Sequence, residues 1–171
     1  MKDKKNLMCK AAIVSCGYGI FSDSVIVPVI TGIYEEFPSA SMFLKNYVLT
    51  GGYLFSLFAS LAAGILMKKI SKRKLMLFGS ICFFIGGFGA VFTSSMEYLA
   101  LMRTLDGLSD GILAATALSL ITELYKDERE RASMIGLYTG VSAAFGFALS
   151  FLAGIIGSMH NWRCAFLLNG I

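Results

Sequence analysis

The sequence predicts an all-α integral membrane protein with five transmembrane helices and the beginning of a sixth. Three observations carry this expectation. Residues 46–67 and 75–96 contain no charged side chain, and each stretch is long enough to cross a bilayer core, which takes about 20 helical residues. Between them lies the cluster Lys68-Lys69-Ile70-Ser71-Lys72-Arg73-Lys74, and basic residues beside helix ends stay on the cytoplasmic side. The chain of 171 residues is 56% hydrophobic and 15% charged, with a mean hydropathy of +0.71. A soluble domain carries about 25% charged residues.

The elements follow in order. The first helix covers about residues 11–33. Lys2, Lys4, Lys5 and Lys10 precede it and place its start, with the N-terminus, in the cytoplasm. No small-x-small cleavage pattern follows a short apolar core, and the apolar run continues past Pro28, so a retained helix is expected rather than a removed leader. Residues 34–45, with Glu35, Glu36 and Pro38, form an external loop. The second helix, about 46–67, returns to the inside, where the basic cluster is the loop. The third helix is about 75–92 and residues 93–97 are an external turn. The fourth is about 98–122, followed by an internal loop at 123–131 with charges of both signs. The fifth is about 132–157, residues 158–163 are external, and residues 164–171 open a sixth helix. That stub rises about 12 Å, against a core of about 30 Å. The expected organisation is one membrane domain over 1–171.

Composition excludes several classes. The net charge of +4 sits beside apolar segments rather than on one soluble face, so orientation explains it and nucleic acid is not expected as a partner. Cys9, Cys16, Cys82 and Cys164 show no zinc or redox spacing, and His160 is the single histidine, so no metal site is expected. Cys16 and Cys82 read as small buried apolar residues. No nucleophile–base set or phosphate loop is present, so neither an enzyme nor a cofactor is expected.

Chemistry concentrates on the fourth helix. Arg103, Asp106 and Asp110 are spaced by three and four, which puts them on one helical face. Ionisable groups inside a bilayer are costly and face a bundle interior or a wet cavity. Arg103 and Asp106 can pair, and Asp110 is one acid more than that pair needs. Two readings stand: a structural ion pair with Asp110 solvated, or a site that handles substrate or protons. Asp23 is the other intramembrane charge, about 15 Å below the outer end of its helix, level with Asp106 at about 12 Å and Asp110 at about 18 Å. If the first and fourth helices face one cavity, these groups converge near mid-membrane, where a carboxyl can exchange protons. The alternative for Asp23 is pairing with a cation, or capping a broken helix near Pro28.

Small residues recur at every fourth position: Gly107 and Gly111; Gly136, Gly140 and Ala144; Gly146, Ser150 and Gly154. Such spacing lets helices approach closely. Tyr34, Tyr98, Tyr125 and Trp162 fall near span ends, as interfacial aromatics do.

These features together resemble the N-terminal half of a major facilitator superfamily (MFS) transporter, a fold of twelve helices. Gly64-Ile65-Leu66-Met67-Lys68-Lys69-Ile70-Ser71-Lys72-Arg73-Lys74 is similar to the family's loop signature, Gly-x-Leu-Ala-Asp-Arg-x-Gly-Arg-Lys-Lys. Gly64, Leu66, Lys69, Lys72 and Arg73 fit, while Lys68 stands in place of the acid and Ser71 in place of the second glycine. Arg103-Thr104-Leu105-Asp106-Gly107 resembles the helix-4 signature Arg-x-x-Gln-Gly, with Asp106 for Gln. The run from Gly146 to Gly154 resembles the helix-5 antiporter signature, with Ser150-Phe151 for its Gly-Pro pair. Asn161-Trp162-Arg163-Cys164-Ala165-Phe166 is similar to the Trp-Arg-x-x-Phe start of helix 6.

The resemblance implies a conformational gating loop at Gly64, Lys68, Lys69, Lys72 and Arg73, and proton-coupling or substrate roles for Arg103 and its neighbours. It also implies a multi-pass protein of a bacterial inner membrane whose partners are the lipid bilayer, a small-molecule substrate and a C-terminal half. Such transporters place the substrate between two six-helix halves, so five helices and a stub are not expected to transport alone. The expected activity is proton-coupled secondary transport, with efflux of drug-like molecules favoured over uptake of a sugar or organic acid. A membrane partner or regulator that does not transport is the alternative from another class.

Overall fold

The computed structural model describes residues 22–159 and 161–170. A 3-10 turn, Ser22–Val25, leads into helix α1, Ile26–Glu36. Helix α2 is Met42–Leu66, and α3 is Lys72–Gly89 with a 3-10 extension, Ala90–Phe92. Helix α4 is Met96–Leu124 and α5 is Glu128–Met159. Helix α6, Trp162–Phe166, continues as a 3-10 turn, Leu167–Gly170. Met42–Leu66, Lys72–Phe92, Met96–Leu124 and Glu128–Met159 are each long and apolar enough to cross a membrane. The opening half of the first expected span, with Cys9, Cys16 and the N-terminal lysines, lies outside the described residues.

Helices α2 to α6 begin earlier than the uncharged stretches suggest, and at α2, α4, α5 and α6 a polar cap sets the start. Ser41 accepts a hydrogen bond from the Leu44 amide at 3.3 Å, and Ser95 from the Tyr98 amide at 3.2 Å. Asp127 Oδ1 accepts from the amides of Arg129 and Glu130, both at 3.0 Å, and Asn161 Oδ1 from that of Arg163 at 3.1 Å. Each satisfies amides that the first helical turn leaves without a partner. The expected loops therefore shrink. The outer loop becomes residues 37–41, and Lys45 joins α2. The basic cluster is split: Lys68 and Lys69 lie in the turn, while Lys72, Arg73 and Lys74 form the first turn of α3. The inner loop at 123–131 contracts to 125–127.

Helix α4 is the centre of the bundle. It packs along α2 on one side and α3 on the other, and its buried positions lie on every side of the helix rather than in one stripe. Small residues make this possible. A Cβ at Gly107 would run into the Gly52 backbone of α2, and one at Gly111 into the Ser56 carbonyl one turn further along. On the other side, a Cβ at Gly86 of α3 would come within 2.8 Å of the Asp106 amide nitrogen. Helix α1 packs on α5 and α6 instead. The two groups share a core at the outer end, where Val25 of the 3-10 turn and Ile26, Val29 and Ile33 of α1 meet Val48, Leu99, Met102, Trp162 and Phe166. At the other end Ala117 and Ile121 of α4 pack with Met134 and Tyr138 of α5.

Large apolar side chains cover the outside. Tyr53, Leu57, Phe58 and Leu61 of α2, Phe78, Ile81 and Phe84 of α3, and Phe147 and Phe151 of α5 are all exposed. Apolar surface on this scale suits lipid and not water.

The glycine repeats are unequal in this packing. Gly107 and Gly111 are pressed against α2, whereas Gly136 and Gly140 have open space around them among the described residues. Gly107→Val must push α2 away and is expected to cost about 2 kcal/mol or more. Gly136→Ala fills empty space and is expected to leave stability unchanged or slightly raised. Denaturation midpoints of the two variants in detergent check this; equal losses at both positions would contradict the packing.

Candidate functional site

The charges of α4 occupy its most enclosed stretch. Arg103 and Asp106 are each 1% exposed and Asp110 is 4% exposed. Arg103 Nη1 donates to Asp106 Oδ2 at 3.1 Å, one helical turn along. Arg103 Nε donates to the Val48 carbonyl of α2 at 3.3 Å. Asp106 lies under α3, where Gly86 leaves room for its carboxyl. Beside the pair, Tyr47 and Thr104 share a hydrogen bond of 2.7 Å between α2 and α4. The guanidinium thus joins α4 to α2 as well as to its own helix. Such a pair resists separation, because removing one partner strands a charge in low dielectric. Asp110 lies four residues beyond Asp106, so this enclosed face of α4 carries two carboxyls and one guanidinium.

A second charged group, absent from the expected site residues, closes the outer end. Arg163 of α6 grips Glu36 of α1 in a two-pronged ion pair: Nη2 to Oε1 at 2.6 Å and Nη1 to Oε2 at 2.7 Å. Trp162 Nε1 donates to the same Oε2 at 2.6 Å. Arg163 also donates to the Thr93 carbonyl from Nη2 at 2.8 Å, and its guanidinium lies 4.4 Å from the centre of the Trp162 ring. The ends of α1, α3 and α6 are tied at one point. The bidentate bond to Arg163, helped by that from Trp162, holds the Glu36 carboxyl below its usual range. The sequence hints at this group only through an acid and an Arg on the same predicted side; their separation in the chain hides the pairing.

At the opposite end Lys72 Nζ meets Glu123 Oε2 at 2.7 Å and the Ser119 carbonyl at 3.4 Å. Lys72, one of the expected gating residues, therefore bridges α3 to the last turn of α4. Lys68, Lys69 and Arg73 are exposed, and Gly64 has open space beside it. Gly146 is buried on α5, and Gly154 faces Pro28 of α1. The Asp23 side chain lies outside the described residues, so its expected convergence with the α4 charges does too. Arg103, Asp106 and Asp110 line neither of two clefts found between α1 and α5. The larger cleft, about 420 Å³, opens at the outer end between Pro28, Gly32, Glu36, Gly154, Ser158 and Trp162. The described residues contain no group of acids, His and Cys able to hold a metal ion.

Two outcomes are expected from these contacts. Arg103→Ala leaves Asp106 buried beside an empty place and should cost about 3–5 kcal/mol, while the joint change Arg103→Met with Asp106→Leu should cost clearly less. Unfolding in mixed micelles reads both. For Glu36, the folded carboxyl titrates below the usual value of 4.5. Its contribution is therefore complete above that value and lost as pH falls through the folded one. The gap in melting temperature between the native chain and Glu36→Gln should be widest above pH of about 5 and close on acidification. A gap that is constant with pH would rule out the ion pair as its source.

The sequence model of the Major Facilitator Superfamily matches residues 12–171. Among curated proteins, the methylenomycin A resistance protein of Bacillus subtilis (strain 168) is 24% identical over 147 residues, covering 86% of this chain and 32% of its own length. The methylenomycin A resistance protein of Streptomyces coelicolor is 27% identical over 126 residues, covering 74% of this chain and 26% of its own. The arabinose-proton symporter of Escherichia coli (strain K12) is 28% identical over 154 residues, covering 90% and 32%. The chain thus spans about a third of the length of these relatives. With its helical bundle, buried α4 charges and family match over nearly its whole length, the chain belongs to the major facilitator superfamily of membrane transporters.

Proposed function

We propose that this chain is the N-terminal part of a proton-coupled secondary transporter of a small molecule, with export of drug-like compounds favoured. The observation that carries the coupling is the Arg103–Asp106 pair, buried on a membrane-spanning helix with Asp110 one turn further on. Charges at such depth are costly and are retained where they handle protons or substrate. Asp23, on the α1 side, is the second carboxyl of the mechanism. The pair can exist closed, with Arg103 on Asp106, or opened by a proton on the carboxyl. Each state favours a different packing of α4 between its neighbours. Alternating access then rocks this half against a C-terminal half around a substrate held between them. The Lys72–Glu123 bridge braces α3 on α4 at the inner end during that motion.

Export draws support from the resistance proteins among the relatives. Uptake of a sugar or organic acid is the second reading, favoured by the similarity to an arabinose-proton symporter. Either reading has the protein in the cell membrane with its N-terminus in the cytoplasm; the charges of Lys68, Lys69, Lys72, Arg73 and Lys74, gathered between α2 and α3, support it.

Asp106→Asn and Asp23→Asn, made in the intact transporter, are expected to lower transport driven by an imposed pH gradient at least about tenfold, the size of a loss of roughly 1.4 kcal/mol. Everted membrane vesicles give the measurement, and substrate profiles of cells carrying the protein separate export from uptake. Transport that keeps its full pH dependence in both variants would sink the coupling proposal.

A further inference from the structure

The described part of the first helix opens as a 3-10 turn, Ser22–Val25, and regular α-helix starts at Ile26. Pro28 lies in the first turn of that α-helix. Proline has no amide hydrogen, and its ring crowds the carbonyl four residues earlier. That carbonyl belongs to Ser24. Inside a bilayer a backbone carbonyl without a donor is costly, because no water is present to supply one.

The donor comes from another helix. Ser150 Oγ of α5 donates to the Ser24 carbonyl at 2.8 Å. This departs from the habit of hydroxyls elsewhere in the bundle. Thr104, Thr116 and Thr139 each donate to the carbonyl four residues back in their own helices, at 2.7–2.9 Å. Ser150 instead crosses to α1 and reaches the carbonyl that Pro28 deprives. One turn along α5, Gly154 faces Pro28, and its missing side chain leaves an added Cβ 3.5 Å from the Pro28 Cβ. Ser150 and Gly154 therefore straddle the proline, one supplying the donor and the other the space.

We infer that Ser150 is a positioning residue: its hydroxyl stands in for the absent Pro28 amide and holds the 3-10 turn at the start of α1 against α5. Ser150 also begins the pair that replaces Gly-Pro in the helix-5 signature. The 3-10 turn includes Asp23, so Ser150 sets where that residue's backbone sits. The importance of Asp23 rests on the transport reading above, but the Ser150–Ser24 bond does not. A bond between side chain and backbone can open and close without unwinding a helix, which suits a joint between α1 and α5. A cleft of about 160 Å³ beside the bond, lined by Ser24, Ala143, Gly146, Phe147 and Ser150, gives room for a methyl group.

A double-substitution cycle tests this without measuring transport. The full chain is purified in detergent, and thermal unfolding is followed by circular dichroism. Ser150→Ala is expected to lower the midpoint by roughly 2–5 °C, and Ser150→Thr, which keeps the hydroxyl, to restore it. Pro28→Ala returns an amide to position 28, so Ser150→Ala added to that variant should produce little further loss. An equal loss with and without Pro28 would overturn the inference, as would Ser150→Thr behaving like Ser150→Ala. The comparison of Ala with Thr stands alone if Pro28→Ala fails to fold. Because transport is not read, failure of the coupling proposal leaves this result intact, and the reverse also holds.

Discussion

Helix backbones can touch only where no side chain stands between them, and α4 depends on two such contacts in succession. Gly107 meets Gly52, and Gly111 meets Ser56. In lipid the apolar side chains gain little by leaving one apolar medium for another, so close packing and polar contacts must hold helices together. The bare approach of α2 to α4 supplies the packing. It also brings the Val48 carbonyl within reach of Arg103, and the similar approach of α3 at Gly86 closes over Asp106. A bulkier seam would move both neighbours away and leave the buried charges poorly enclosed.

Polar contacts are divided along the membrane normal. The outer clamp of Glu36, Trp162 and Arg163 is partly exposed and joins distant parts of the chain at the surface. The Lys72–Glu123 bridge does the same at the inner end, where solvent screens it and its energetic worth is small. The Arg103–Asp106 pair lies between them, out of solvent, where a change of charge has its greatest effect. The described bundle is thus fastened at both ends, with its buried charge between them. The Ser150–Ser24 bond adds a polar link between α5 and the turn that opens α1.

Much of the fold was legible in the residues. The spans came from uninterrupted apolar runs, because a bilayer imposes a length on each. Helix starts were less legible: Ser41, Ser95, Asp127 and Asn161 are polar caps, so they lie outside any hydrophobic stretch. Lys72, Arg73 and Lys74 read as loop by charge and fold as the first turn of α3, because hydropathy alone does not mark where a helix starts. The shared face of Arg103, Asp106 and Asp110 followed from helical spacing. Their closure by α2 and α3 did not, because spacing names a face without naming its neighbour. The glycine repeats show the same limit: Gly107 and Gly136 sit in like patterns, and only the first meets another backbone.

Residue order was enough for the membrane class, the order of the described helices and the helix on which buried charge is found. These depend on residues near one another in the chain, where hydropathy and helical periodicity act. Tertiary structure alone decided that Glu36 pairs with Arg163, that Lys72 reaches Glu123, and that Ser150 serves the carbonyl left bare by Pro28. Each of those contacts joins two helices whose relative position follows from the packing of the whole bundle. No local pattern in the chain records it.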